Sequence, residues 1–187
     1  HALRVPPTMS TPFIVIGATG GIGAALCRRL TASGHTLHAI GRDEAKLASL
    51  TAETGGTHAA ADVTDRAALD AAIKSAGPAI AGLAYCVGTI TLKPVTRITD
   101  EDVERDLRLN TLGALHAVQS ALPQLKANPT PASVVLFSTV AVQQGFVQGL
   151  IGVGQVHIFT DHRDVDRVGR TFDGLHHPLP VGQIGRR

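Results

Sequence analysis

The segment Gly17-Ala-Thr-Gly-Gly-Ile-Gly23 has residue types and a spacing suited to gripping phosphate. Glycines let a chain turn tightly and bring backbone N–H groups close to an anion with no Cβ in the way. A helix that opens directly after such a turn adds partial positive charge from its N-terminus. Where the turn joins a strand to a helix, the anion that fits is the paired phosphate of a dinucleotide. An ordinary glycine-rich turn is the bland alternative, and the strand before it and helix after it disfavour that reading. A second chemical position follows at Ile40-Gly41-Arg42, where the next strand ends. A carboxylate there would accept hydrogen bonds from the adenosine ribose of NAD. Gly41 has none, and the guanidinium fork of Arg42 matches a 2′-phosphate, so NADP is favoured, with NAD possible. Asn110 lies within an apolar stripe and must find hydrogen-bond partners there, because an unpaired buried amide costs about 1–3 kcal/mol. Ser138 and Thr139 place two hydroxyls at the end of an apolar run.

These residues need elements to position them. Phe13-Ile-Val-Ile-Gly17 is β-branched, apolar and stopped by glycine, which predicts a buried strand, and Ile22 to Ala32 reads as a helix. Thr36 to Ile40 is the second strand. Asp43 is placed to cap a helix running to Leu50, and Asp65 to cap one over Arg66 to Ser75. Thr57 to Ala61 is the third strand and Ile80 to Val87 the fourth. A long helix follows over Thr99 to Leu122, with a capping-box-like start at Thr99 and Asp102 and a buried face through Val103, Leu107, Ala114, Val118 and Ala121. Ser133 to Phe137 is the fifth strand. Strands alternating with helices predict right-handed βαβ units and an α/β fold, a Rossmann-like doubly wound parallel sheet covered on both faces. In the remainder, only Gln155 to Phe159 reads as a strand. Tyr85, the sole tyrosine, reads as a core aromatic on the fourth strand.

With the loop and the strand ends in view, the chain resembles the short-chain dehydrogenase/reductase family over residues 12–146. Gly17, Gly21 and Gly23 match the spacing of one branch, and Gly17, Gly20 and Gly23 that of another, so the loop alone does not choose. Asp62-Val63 is similar to the family's adenine-contacting Asp-aliphatic pair. Tyr85-Cys-Val-Gly88 stands where the family carries Asn-Asn-Ala-Gly, with only the glycine kept. Leu109-Asn-Thr-Leu-Gly113 resembles the family's helix asparagine, and Val134 to Ala141 its fifth strand and catalytic hydroxyl. The resemblance implies a sheet order 3-2-1-4-5 and NAD(P)-dependent hydride transfer between an alcohol and a ketone. It implies cofactor contacts at Gly17, Thr19, Gly20, Gly21, Ile22, Gly23, Arg42, Asp62, Val63 and Gly88. Thr139, or Ser138 as the near alternative, would polarise the substrate carbonyl, and Asn110 would hold a water of the proton relay, on a helix that is often a dimer face. The family's proton donor is Tyr-x-x-x-Lys. Its spacing puts those residues at Gly152 and Val156, and no Tyr or Lys follows Lys126. The resemblance therefore implies an impaired oxidoreductase. A non-catalytic dinucleotide-binding or redox-sensing module, or a defective fragment of a longer reductase, are the alternatives.

Composition sets the bounds. At 187 residues, 44% apolar and 17% charged, the chain is long enough for one core and is not disordered. A net charge of +2 excludes no small-molecule chemistry but gives no footprint for nucleic acid. No apolar run is long enough to cross a membrane. Cys27 and Cys86 lack metal-ligand spacing and read as reduced core thiols of a cytoplasmic protein. Residues 1–11 read as an extension without signal-peptide character, and 12–146 as the dinucleotide-binding domain. Residues 1–141 contain 26 alanines and residues 142–187 none, where the earlier rate predicts about eight. That shift marks 147–187 as an atypical tail, either a true but unusual C-terminus or an aberrant one, in which the family's last strands are missing or unrecognisable. The tail histidines His157, His162, His176 and His177 match no metal motif and read as solvated.

Overall fold

The computed structural model describes residues 11–137 and the two-residue strand Ile158–Phe159. Strands β1 (Phe13–Ile16), β2 (Leu37–Gly41), β3 (Thr57–Ala60), β4 (Gly82–Tyr85) and β5 (Ser133–Leu136) pair in parallel in the order 3-2-1-4-5. They alternate with helices α1 (Gly21–Ala32), α2 (Glu44–Thr54), α3 (Arg66–Lys74), α4 (Asp100–Leu107) and α5 (Gly113–Ala127). Strand β6 (Ile158–Phe159) lies antiparallel on the outer edge of β5, with Val135 opposite Ile158. It falls inside the 155–159 stretch expected from sequence, and its reversed direction departs from the parallel pattern of the other five.

Side chains of a strand alternate between its faces, and the core divides accordingly. Ile14, Ile16, Ile40, Leu83 and Val134 pack with Leu69 and Ile73 of α3 and with Ala114, Ala117 and Ala121 of α5. Val15, Leu37, Ala39 and Ala84 pack on the other face with Cys27 of α1 and with Leu47 and Leu50 of α2. Both faces are covered, which is why the strands are near-continuous apolar runs.

The expected caps form. Asp43 accepts from Lys46 N, Asp65 accepts from Ala67 N and Ala68 N, and Thr99 with Asp102 makes a reciprocal capping box. Helix α2 runs to Thr54, past the expected end at Leu50, and stops at Gly55, whose φ of +76° glycine adopts without penalty. The expected single helix over 99–122 is instead two helices joined by a widened π-turn at Arg108–Leu112, and α5 continues through Pro123 to Ala127. The widened turn also corrects the buried face. In a regular helix, Leu107 and Ala114 are seven residues and about two turns apart, so they share a side. One extra residue in the turn aligns Asp106 with Ala114 instead: Asp106 is 0% exposed and Leu107 39%. Val103 is only half-buried for the same reason.

Candidate functional site

All five parallel strands point their C-terminal ends to one edge of the sheet, and the chain segments leaving β1, β2, β3 and β4 border a cleft of about 340 Å³ there. That size lies within the range of small-molecule and cofactor sites, roughly 300–1,000 Å³. The turn after β1 is its back wall. Gly17 sits at φ +80°, and a Cβ on it would stand 2.9 Å from the carbonyl carbon and oxygen of Cys86 and from Val87 Cγ2. Glycine is therefore required twice over, by conformation and by the close approach of the segment leaving β4. A Cβ on Gly23 would collide with the Gly17 carbonyl oxygen. These are the two glycines common to both spacings. Gly20 and Gly21 differ: a Cβ on Gly20 would be 3.3 Å from Gly17 O, and one on Gly21 would meet open space.

The turn spends three of its own amides on backbone carbonyls, so the N–H groups left for a ligand are those at the uncapped start of α1. Gly17 N and Ala18 N donate to Ile40 O, and Gly20 N to Gly17 O. Gly20 is the N-cap of α1 and has no side chain to bond the first helical N–H groups, and the first turn contains no acidic residue. An uncapped N-terminus without carboxylates nearby is an anion site in waiting, with the helix dipole added. Gly17, Thr19 and Gly20 border the cleft directly; Gly21, Ile22 and Gly23 form the first turn of α1 and do not line it.

The other walls bring in the remaining expected residues. Arg42 borders the cleft after β2, and Asp62 and Val63 after β3. Asp62 does not cap α3, because Asp65 does. Asp62 Oδ1 accepts from Thr64 N at 2.9 Å and Thr64 Oγ1 at 2.7 Å. Those bonds, helped by the Arg42 charge, hold its carboxyl below the usual carboxylate value. Gly41 is buried beside Thr19, with room for a Cβ at 3.4 Å from Thr19 Oγ1. Gly88 is on the cleft floor, and its nearest neighbour to an added Cβ would be Asn110 Oδ1 at 3.5 Å.

Asn110 sits in the widened turn. Its Nδ2 donates to Thr89 O and its Oδ1 accepts from Thr89 N, both at 2.8 Å. The side chain is thus spent on the loop after β4 and fixes the floor of the cleft. Gly113 N reaches back five residues to Arg108 O, so Leu109 O loses its regular helical donor. Tyr85 replaces it, donating from its hydroxyl to Leu109 O at 2.6 Å. Burial pushes the Tyr85 phenol up from its ordinary value, and a Cβ on Gly113 would collide with its hydroxyl. Tyr85 is a core residue, as its position on a strand predicts, and it is no proton donor to the cleft.

Ser138 and Thr139 lie outside the described residues. Among the described residues, no cluster of three metal-ligating side chains is present, and no helix is long and apolar enough to cross a membrane. Sequence reasoning missed Cys86, Thr89 and Leu109 as cleft residues. It also missed the burial of Asp102 and Asp106. The recurrence of polar residues at 102, 106 and 110, every four along a helix, was the available signal.

The chain matches a family model for short chain dehydrogenases over residues 12–151. It is 33% identical over 143 residues to a 3-dehydrosphinganine reductase of Arabidopsis thaliana, covering 72% of this chain and 44% of that protein. It is 33% identical over 132 residues to a D-erythrulose reductase of Gallus gallus, covering 70% of this chain and 53% of that protein. The chain thus spans about half the length of the curated relatives it matches. Among solved structures, a serine dehydrogenase from Escherichia coli is similar with a TM-score of 0.68 and 26% identity, over 74% of this chain and 67% of that one. An actinorhodin polyketide ketoreductase with NADPH has the same fold, with a TM-score of 0.68 at 19% identity over 74% of this chain and 57% of that one. A glycine turn feeding an uncapped helix, a parallel sheet in the order 3-2-1-4-5 and a family match over most of its length together place this chain in the short-chain dehydrogenase family.

Proposed function

We propose that residues 12–146 form the dinucleotide-binding domain of a short-chain oxidoreductase that takes NADP in preference to NAD. The observation that carries this reading is the cleft itself: an uncapped helix start and a Cβ-free turn on one wall, with Arg42 on the next. The turn at Gly17 to Gly23 would hold the pyrophosphate through backbone N–H groups, with Thr19 beside it and Ile22 at the helix start. Arg42 would pair with a 2′-phosphate, where Gly41 offers no carboxylate to a ribose. Asp62 and Val63 would frame the adenine, and Gly88 would let the cofactor lie close to the floor. When bound, the nicotinamide supplies or accepts a hydride.

Of the chain's own chemistry, Thr139 or Ser138 is our candidate for orienting a substrate carbonyl, and Asn110 for positioning. A proton donor of the Tyr-x-x-x-Lys kind is absent from these 187 residues beyond Lys126. A developing alkoxide without a proton source is poorly stabilised, so we propose that this chain binds dinucleotide and reduces ketones poorly or not at all. The same absence favours a second reading, a non-catalytic dinucleotide-binding or redox-sensing module.

Thermal denaturation and calorimetry with NADPH and NADH, followed by a ketone panel, test both. We expect NADPH to raise the melting temperature more than NADH. Arg42→Ala should weaken NADPH roughly tenfold, the loss of one charge-assisted phosphate contact, and leave NADH unchanged. No shift with either dinucleotide overturns the binding reading. Ready reduction of a ketone overturns the non-catalytic one.

A further inference from the structure

Asp102, Asp106 and Asn110 recur every four residues along α4 and the widened turn, and each bonds the chain segment that leaves β4. Asp102 Oδ2 accepts from Lys93 Nζ at 2.6 Å, Asp106 Oδ2 accepts from Thr91 N at 3.1 Å, and Asn110 grips both backbone groups of Thr89. The partners recur every two residues, in the opposite order. The spacings match because four helical residues rise about 6 Å while two extended residues advance about 6.6 Å. Exposure alternates as an extended segment requires: Thr91 is 3% exposed, its neighbours Ile90 and Leu92 47% and 64%. The result is a three-rung ladder between helix and loop.

Its middle rung is odd on packing grounds. Asp106 Oδ1 is buried with no hydrogen bond, and the Arg105 guanidinium stands 3.6 Å from it. That guanidinium also donates to Thr91 Oγ1 at 2.7 Å. Burying a carboxylate with one oxygen unpaired opposes folding, and an apolar residue of similar volume would serve the core as well or better. What an apolar residue cannot do is hold the Thr91 N–H. Two residues before Thr91 is Thr89, and Thr89 and Gly88 are cleft-floor residues.

We propose that Asp106 is a positioning residue: its carboxylate docks the 89–93 segment onto α4 and thereby sets the cleft floor for a dinucleotide. The consequence for binding rests on the dinucleotide reading above; the ladder itself does not.

The test compares the full chain with Asp106→Asn, which keeps an oxygen for Thr91 N–H, and Asp106→Leu, which fills the space without one. Amide hydrogen exchange at Thr89 and Thr91 reads the ladder, and calorimetry with NADPH reads the floor. Asp106→Leu should exchange at both amides at least about tenfold faster and bind NADPH roughly tenfold more weakly, with little change in melting temperature. Asp106→Asn should restore both readouts nearly to the parent. Thr91→Pro deletes the same rung from the loop side, and it should reproduce the loss in NADPH affinity if Asp106→Leu fails to fold. Parent-like exchange in Asp106→Leu overturns the ladder. Faster exchange with parent-like NADPH affinity overturns the positioning role. If the parent binds no dinucleotide, the dinucleotide reading and the consequence for binding fail, and exchange still decides the ladder.

Discussion

A single oxygen decides the role of the chain's only tyrosine. Because the widened turn frees Leu109 O, the Tyr85 hydroxyl has a partner in the interior and none of the accessibility a proton donor needs. Tyr85→Phe removes that carbonyl's donor, and the net loss of one such hydrogen bond is about 0.5–1.5 kcal/mol. We expect urea denaturation to show a loss of that size. A variant as stable as the parent would mean that the carbonyl finds another donor. Residue-level reading of the sequence did well where residue type and element agree. Gly17 and Gly23 need no alignment to be singled out, and Asp43, Asp65 and Thr99 cap where their types predict. It failed at Thr89 and Asp106, whose roles come from pairing helix with loop, a tertiary match that neither local propensity nor apolar periodicity encodes.

At the scale of elements, β2, β3 and α3 are tied through a histidine. His38 is buried on β2; its Nε2 faces Ala72 O at 3.0 Å, an acceptor only, so Nε2 bears the proton and Nδ1 accepts from Thr57 Oγ1 at 2.7 Å. Burial lowers its pKa from the ordinary 6.5, against the pull of the Ala72 carbonyl and with a small push from His58 on β3. The unfolded chain therefore takes up a proton before the folded one does. The contribution of His38 is complete above about pH 6.5 and falls as pH drops from there toward the lowered folded value. Urea midpoints measured from pH 7.5 down to 5 should decline over that window. His38→Gln, whose amide can still donate to Ala72 O, should flatten the decline; an unchanged slope would assign it to another group. Element order, the strands and most helix starts were legible in the sequence. The break in the long helix was not, because Leu109, Thr111 and Leu112 fit a regular helix equally well, and only the Tyr85 and Gly113 contacts select the wider turn.

For the molecule as a whole, two cores on opposite faces of one sheet hold the domain together, and each cysteine reports on burial. Cys27 lies on the buried face of α1, in the core shared with α2, and Cys86 where β4 leaves the sheet for the cleft. Burial pushes their thiols up to about 11 and about 12. The thiolate is the reactive form, so at neutral pH both should label with a disulfide reagent at least about tenfold more slowly in the native chain than after denaturation. Fast labelling of Cys27 under native conditions would show that the core it shares with α2 opens without global unfolding.

The widened turn at Arg108–Leu112 serves the core through Tyr85 and the cleft floor through Asn110. Since it carries one residue beyond an ordinary helix, a chain lacking that residue would keep α4 and α5 in phase and both cores closed. It would still lose the freed carbonyl that anchors Tyr85 and the offset that brings Asn110 onto Thr89. A lineage could thus unfasten the cleft floor by deleting one codon, at the cost to the scaffold of a single unpaired phenol.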